Sequence, residues 1–68
     1  MKPHSPTPEV LTAPEAADFL RIGATTLQGL VSSGRIPHLR LSGHGLRGAI
    51  RFRVSALREW MAREEKAR

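Results

Sequence analysis

The chain has 68 residues, a formal net charge of +5 and no cysteine. A chain of this length forms one small domain, which buries only about 60% of the surface of its unfolded state and is marginally stable alone. Without cysteine it has neither disulfides nor thiolate metal ligands. No apolar run approaches the roughly 18 residues of a membrane span, and the proline-rich N-terminus lacks the apolar segment of a signal peptide. We therefore expect a cytoplasmic protein of a bacterial or phage-infected cell.

The positive charge is concentrated in one segment. Between Arg35 and Arg58 there are six arginines and no acidic residue, whereas the rest of the chain has five basic and six acidic residues. Surfaces that are merely soluble usually intersperse both signs. A one-sided basic block is instead typical of a protein that binds a polyanion.

Two short helices joined by a tight turn are predicted near the N-terminus. Thr12 and Glu15 have the spacing of a capping box, and Pro14 fits the first helical turn. Apolar residues follow at helical spacing in both segments. Gly23 is suited to precede the second helix, and Gly34 is suited to end it in the left-handed conformation. This is the helix-turn-helix pattern, although a buried helical corner with no role in nucleic-acid binding has the same pattern.

A β-hairpin is predicted after the second helix, because the hydrophobic period changes from 3.6 to 2. Two alternating segments, 36–42 and 50–54, flank the loop 43–48, which has three glycines. The predicted inner face of the hairpin consists of Leu39, Leu41, Ile50 and Phe52. The predicted outer face consists of Arg40, Arg51 and Arg53.

A third helix, capped by Ser55, is expected to close the core. The order α-α-β-β-α predicts an α+β, mostly helical fold, a small winged helix-turn-helix domain over residues 10–63. Residues 1–9 are expected to be a disordered proline-rich tail, and residues 64–68 a charged C-terminal tail. The expected core comprises Leu11, Ala16, Phe19, Leu20, Ile22, Leu27, Leu30, Val31, Leu39, Leu41, Ile50, Phe52, Leu57, Trp60 and Met61.

The same residues resemble the excisionase-type branch of the MerR-like winged helix-turn-helix proteins. The matching motifs are L-T-x-x-E-A-A-x-x-L at 11–20, T-L at 26–27, S-G-R-I-P at 33–37, R-F-R at 51–53 and L-x-x-W at 57–60. The resemblance implies a DNA-binding protein whose second helix enters the major groove while the hairpin reaches the backbone or minor groove. Roles in this family include recombination directionality factors, transcription regulators and the DNA-recognition domains of phage packaging (terminase small) subunits. Members often bind neighbouring sites cooperatively, so self-association or a recombinase or polymerase partner is expected.

Nine residues are candidate DNA contacts: Thr25, Thr26, Gln28, Arg35, Arg40, His44, Arg47, Arg51 and Arg53. Gln28 can bond adenine through two hydrogen bonds, and Thr25 can meet a thymine methyl group. Thr26 and the amides at the start of the second helix can hold a phosphate. Arginines suit phosphate oxygens and narrow minor grooves. Because the outer face of the second helix has no positive charge, we expect affinity to come mainly from the hairpin and sequence preference from Gln28, Thr25 and DNA deformability.

No enzymatic site is predicted. His38 and His44 have no cysteine or carboxylate near them in sequence, so we expect no metal site. The G-x-G-x-x-G string at 43–48 precedes a strand, whereas a dinucleotide site needs a helix there. We therefore expect no catalytic residues and no cofactor. Binding at a membrane surface is not favoured, because no helix has a basic face opposite an apolar one. A protein-protein interaction module remains the alternative to DNA binding.

Overall fold

The computed structural model describes residues 9–66. In chain order its elements are β1 (Val10–Leu11), α1 (Ala13–Leu20), α2 (Ala24–Ser32), β2 (Leu39–Leu41), β3 (Ala49–Arg53) and α3 (Val54–Lys66). The strands form an antiparallel sheet in the order β1–β3–β2. About half of the described residues are helical, and the β2–β3 hairpin follows the two N-terminal helices. This architecture confirms the predicted small winged helix-turn-helix fold.

The predicted starts of α1 and α2 are confirmed. The backbone N–H of Thr12 donates to Oε1 of Glu15 at 2.9 Å, and the N–H of Glu15 donates to Oγ1 of Thr12 at 3.4 Å. These reciprocal bonds form the capping box, and Pro14 lies in the first turn of α1. Helix α2 begins after Gly23, which has no side chain to cap it. The amide groups in the first turn of α2 therefore have no side-chain acceptor of their own.

The end of α2 is also as predicted. Gly34 adopts φ 71°, in the left-handed region. Its N–H donates to the carbonyl of Val31 at 3.0 Å, and the N–H of Arg35 donates to the carbonyl of Leu30 at 2.9 Å. These two bonds are the Schellman motif, which satisfies carbonyls that the helix leaves without partners.

The predicted faces of the hairpin are wrong. The opposed pairs are Leu39 with Arg51, Arg40 with Ile50, and Leu41 with Ala49. Residues directly opposite one another in an antiparallel pair project to the same side of the sheet. Arg40 therefore shares a face with Ile50, and the two leucines share the other face with Arg51.

The loop between the strands accounts for this difference. Residues 42–48 separate Leu41 from its partner Ala49, and their number is odd. Two consecutive tight turns fill the loop: the N–H of Leu46 donates to the carbonyl of Gly43 at 2.9 Å, and the N–H of Ala49 donates to the carbonyl of Leu46 at 3.0 Å. A loop shorter or longer by one residue would exchange the two faces, because the side-chain period of a strand is two.

The short strand β1 is an element that the sequence did not predict. Leu11 pairs with Phe52, and Val10 pairs with Arg53. Leu11 is buried, whereas 43% of the surface of Val10 is exposed. The strand makes β3 the centre of the sheet, which leaves β2 as an edge strand.

Helix α3 begins at Val54 without an interval after β3, so Ser55 is not its N-cap as predicted. The N–H of Val54 donates to the carbonyl of Glu9 at 2.7 Å, and the Ser55 hydroxyl donates to the Glu9 carboxylate at 2.9 Å. Glu9, the residue before β1, thus accepts hydrogen bonds from the first two residues of α3. Glu9 therefore belongs to the fold, while the rest of the predicted tail, residues 1–8, lies outside the described residues.

At the other end, the charged residues 64–66 are the last turn of α3, which ends at Lys66. Residues 67–68 lie outside the described part. Among residues 9–66, no helix is both long and apolar enough to cross a membrane.

The core lies between α1, α2, β3 and α3. Its buried residues are Leu11, Ala16, Ala17, Leu27, Ile36, Phe52, Val54 and Leu57, and Phe19, Leu20, Ile22, Leu30, Val31, Ile50 and Trp60 pack against them partly buried. Three predicted members, Leu39, Leu41 and Met61, are only half-buried and stand outside this cluster. The two leucines are outside because the register places them on the opposite face from Phe52. Ala17, Ile36 and Val54 are core residues that were not predicted.

Candidate nucleic-acid interface

The solvent-facing side of α2 is smooth and uncharged. Thr25, Thr26, Gln28, Gly29 and Ser32 are all exposed. A methyl group added at Gly29 would meet no atom within 4 Å. A helix of nine residues is about 14 Å long, which fits a major groove about 12 Å wide and 8.5 Å deep. Small side chains flank Gln28 on this surface, so a base edge could approach it closely.

An apolar groove runs between α2, the start of α1 and the sheet. Its lining residues are Ala13, Pro14, Ala24, Leu27, Gln28, Val31, Ile50 and Phe52. Gln28 stands on one wall and Ile50 on the other, so the sheet face that carries Ile50 is turned toward α2. Arg40 is opposite Ile50 in the register and is exposed. Arg40 therefore lies on the same side of the sheet as Gln28.

Arg51 and Arg53 lie on the other face of the sheet. Arg51 is half-buried, and its Nη1 donates to the backbone carbonyl of Ile50 at 2.8 Å. Arg53 is exposed. The prediction that Arg40 projects with these two arginines from one outer face is wrong, because the register separates them.

The tip of the hairpin carries two more candidates, His44 and Arg47. Both are exposed, and both have positive φ, 49° and 54°. Leu46 between them is 40% exposed, and it was not predicted as part of the surface. Arg35 is exposed just after α2. The candidates are thus spread over the exposed side of α2, its C-terminal end, the hairpin tip and both sheet faces.

No carboxylate of residues 9–66 neutralises the arginines between Arg35 and Arg58. Among residues 9–66 there is no ion pair between an arginine and a carboxylate. Arg58 stacks on the ring of Phe19, with its guanidinium carbon 5.6 Å from the ring centroid, a cation–π contact. Arg40, Arg47 and Arg53 are exposed. Their charge is therefore available to an external anion.

A helix-turn-helix followed by a basic hairpin defines a class of DNA-binding domain. A family profile described as "Helix-turn-helix domain" matches residues 10–65. The chain belongs to this excisionase-like helix-turn-helix family, which confirms the resemblance noted in the sequence. Membership supports DNA binding, and such domains are typically non-enzymatic. Comparisons with curated proteins and with solved structures gave no match.

Proposed function

We propose that this protein binds double-stranded DNA with a sequence preference, as a transcription regulator or as an excisionase-like factor in recombination. Helix α2 enters the major groove, and the β2–β3 hairpin lies on the neighbouring backbone or minor groove. One observation carries the proposal: Arg40 projects from the sheet face that is turned toward α2. A duplex that receives α2 therefore finds a cation at the groove's edge, where the phosphates lie.

Affinity and sequence preference come from different residues in this proposal. Arg40, Arg47 and Arg35 are exposed, and they bind phosphates, because guanidinium groups match phosphate oxygens in geometry and charge. Gln28 and Thr25 meet base edges from the exposed side of α2. Phosphate contacts hold the domain in register, and the base contacts then select the sequence.

The arginines on the sheet face opposite to Arg40 contribute less to DNA binding. Arg53 is exposed but on the opposite side of the sheet from Arg40, and the guanidinium of Arg51 is already bonded to the carbonyl of Ile50. Charges on that face still attract DNA over the screening length of about 8–10 Å at physiological salt. Arg51 and Arg53 therefore add to long-range attraction, and they touch phosphates only where the hairpin lies edge-on to the duplex.

The test begins with selection of binding sequences from a pool of random DNA duplexes, followed by titration of the selected duplex at increasing salt. Arg40→Ala should weaken binding to every sequence and flatten the plot of log K against log salt by about 0.9. Arg53→Ala is the matched control on the opposite face, and we expect a smaller change in slope. Gln28→Ala should leave the slope unchanged and relax selection at one base pair by about 1–3 kcal/mol.

Two results would overturn the proposal. The first is a pool that shows no enrichment together with an affinity that does not depend on salt, because DNA binding of any kind releases counterions. The second is an Arg53→Ala slope that falls as far as that of Arg40→Ala. In that case the domain would bind DNA with the edge of the hairpin, through arginines of both sheet faces, and not through the face that is turned toward α2.

A further inference from the structure

The turn between α1 and α2 contains an arginine in an unfavourable backbone conformation. Arg21 has φ 60°, in the left-handed region. Its N–H donates to the carbonyl of Asp18 at 3.1 Å, and the N–H of Ile22 donates to the carbonyl of Ala17 at 3.0 Å. These are the bonds of a Schellman motif, in which glycine usually occupies the position of Arg21.

The C-terminal end of α2 can be compared with this turn. Helix α2 ends with the same pair of bonds, but its left-handed residue is Gly34. A methyl group added at Gly34 would meet no atom within 4 Å, so glycine is there for its backbone freedom and not for lack of space. The motif itself therefore needs no side chain, and Arg21 occupies a position where glycine would remove the strain.

The hairpin tip also has an arginine in the left-handed conformation. Arg47 has φ 54° and precedes Gly48 at φ 77° in the turn closed by the bond from Ala49 to Leu46. Positive φ at both central residues is the signature of a type I′ turn, which favours asparagine or glycine at the first of them. His44 is the third non-glycine residue with positive φ among residues 9–66, but histidine enters this region more readily than arginine.

Neither arginine has a partner that explains its presence. Both are exposed, and among the described residues no hydrogen bond or ion pair engages either guanidinium. Two arginines therefore have a backbone conformation that is unfavourable for them, and within residues 9–66 no hydrogen bond or ion pair of their guanidinium groups offsets the strain. A backbone held in one conformation also limits the directions that the side chain can take, which lowers the entropy lost on binding.

We propose that Arg21 and Arg47 contact phosphates of the bound DNA, so that Arg21, in the turn between the two helices, is a further DNA-binding residue. This inference rests on the proposed function. Arg21 is three residues before Ala24, the first residue of α2, and three residues span at most about 10 Å. Because phosphates line both edges of a groove about 12 Å wide, Arg21 is within reach of one strand when the start of α2 enters that groove.

The experiment compares stability and DNA binding in the same variants. Arg21→Gly removes both the side chain and the strain, Arg21→Gln removes the charge alone, and Arg21→Lys keeps the charge. Binding is measured to a short mixed-sequence DNA duplex at about 50 and 200 mM salt. Each phosphate contact makes affinity fall about 3.5-fold more over this interval, since a fourfold change in salt is raised to the power of about 0.9.

We expect Arg21→Gly and Arg21→Gln to bind DNA more weakly than the wild type. Between the two salt concentrations, their affinity should fall about 3.5-fold less than that of the wild type. Arg21→Lys should retain most of the salt dependence. The unfolding temperature of Arg21→Gly should be equal to or higher than that of the wild type, and Arg47→Gly should behave in the same way. Arg63→Gln, which removes an exposed charge from α3, is the control for net charge, and its salt dependence should not change.

The inference is overturned if Arg21→Gln binds DNA as the wild type does, or if its loss only equals that of Arg63→Gln. It is also overturned if the Arg21 variants lose stability while their DNA binding is unchanged, because the arginine would then act on the dipole of α1. These outcomes leave the proposed function standing. If the wild-type protein itself shows no salt-dependent binding, both fail.

Discussion

The register of the hairpin can be tested by making the same leucine-to-alanine substitution at two positions, each in a separate variant. Leu57 lies in the core and is fully buried, whereas Leu41 is half-buried, faces Ala49 across the strands and stands outside the core cluster. Truncating a buried leucine to alanine costs about 2–5 kcal/mol, which includes the cavity left behind. A leucine that is half exposed loses about 1 kcal/mol.

These costs are large compared with the total free energy of unfolding of the domain. A chain of 68 residues at roughly 0.05–0.15 kcal/mol per residue has a total stability of about 3–10 kcal/mol. Leu57→Ala should therefore shift the unfolding midpoint strongly or leave the chain partly unfolded, while Leu41→Ala should shift the unfolding temperature by about 4–8 °C or less. Urea unfolding measures the shift in midpoint and thermal unfolding measures the shift in temperature, with the fluorescence of Trp60, the only tryptophan, and far-ultraviolet circular dichroism as independent probes.

The reasoning is refuted if Leu41→Ala costs as much as Leu57→Ala. The leucines of β2 would then face the core, as alternation alone predicted, and Arg40 would face outward with Arg53. Leu27→Ala is the control, because Leu27 is buried but lies in α2. A similarly large loss of stability there would show that burial, and not a position in α3, causes the loss at Leu57. Because the same register decides which arginine faces α2, this stability measurement also tests the basis of the proposed DNA interface.

Three further predictions concern the ends of elements. Gly34→Ala should cost about 1–2 kcal/mol, since its φ of 71° is unfavourable for any L-residue although space is open around it; thermal unfolding measures this. Thr12→Ala should cost about 1 kcal/mol, and in combination with Glu15→Ala the two costs should not add, because both side chains serve one capping box. Glu9→Ala should cost about 0.5–1.5 kcal/mol through the lost bond to the Ser55 hydroxyl, and in Ser55→Ala protein the same change should cost little.

Local signals in the sequence predicted the helical half of the fold well. The Thr12 capping box, the start of α2 after Gly23 and the left-handed Gly34 each depend on neighbours within a few residues, so propensity and spacing suffice to identify them. The family profile covers more than these helices, because its match over residues 10–65 also includes the hairpin and most of α3.

The sheet could not be predicted in the same way, because its features depend on contacts distant in sequence. Alternation fixes which residues of one strand share a face, but it does not fix which face of the neighbouring strand they join. That choice is made by the number of residues between Leu41 and Ala49, and the glycines there permit turns of more than one length. The two-residue strand β1 and the role of Glu9 at α3 likewise depend on residues more than 40 positions away.

The distribution of charge decides how such a small domain would select DNA. The exposed residues of α2 are Ala24, Thr25, Thr26, Gln28, Gly29 and Ser32, with no cation among them. The exposed arginines lie on turns, on strand β2, on the far face of the sheet and on α3. In the proposed complex, attraction to phosphates is therefore separated from contact with bases. In that complex a neutral helix with small side chains adds little affinity of its own, and the arginines around it hold the two DNA strands at a spacing set by the protein. A duplex whose groove width suits that spacing binds at a lower deformation cost, so we infer that DNA shape contributes to selection alongside Gln28.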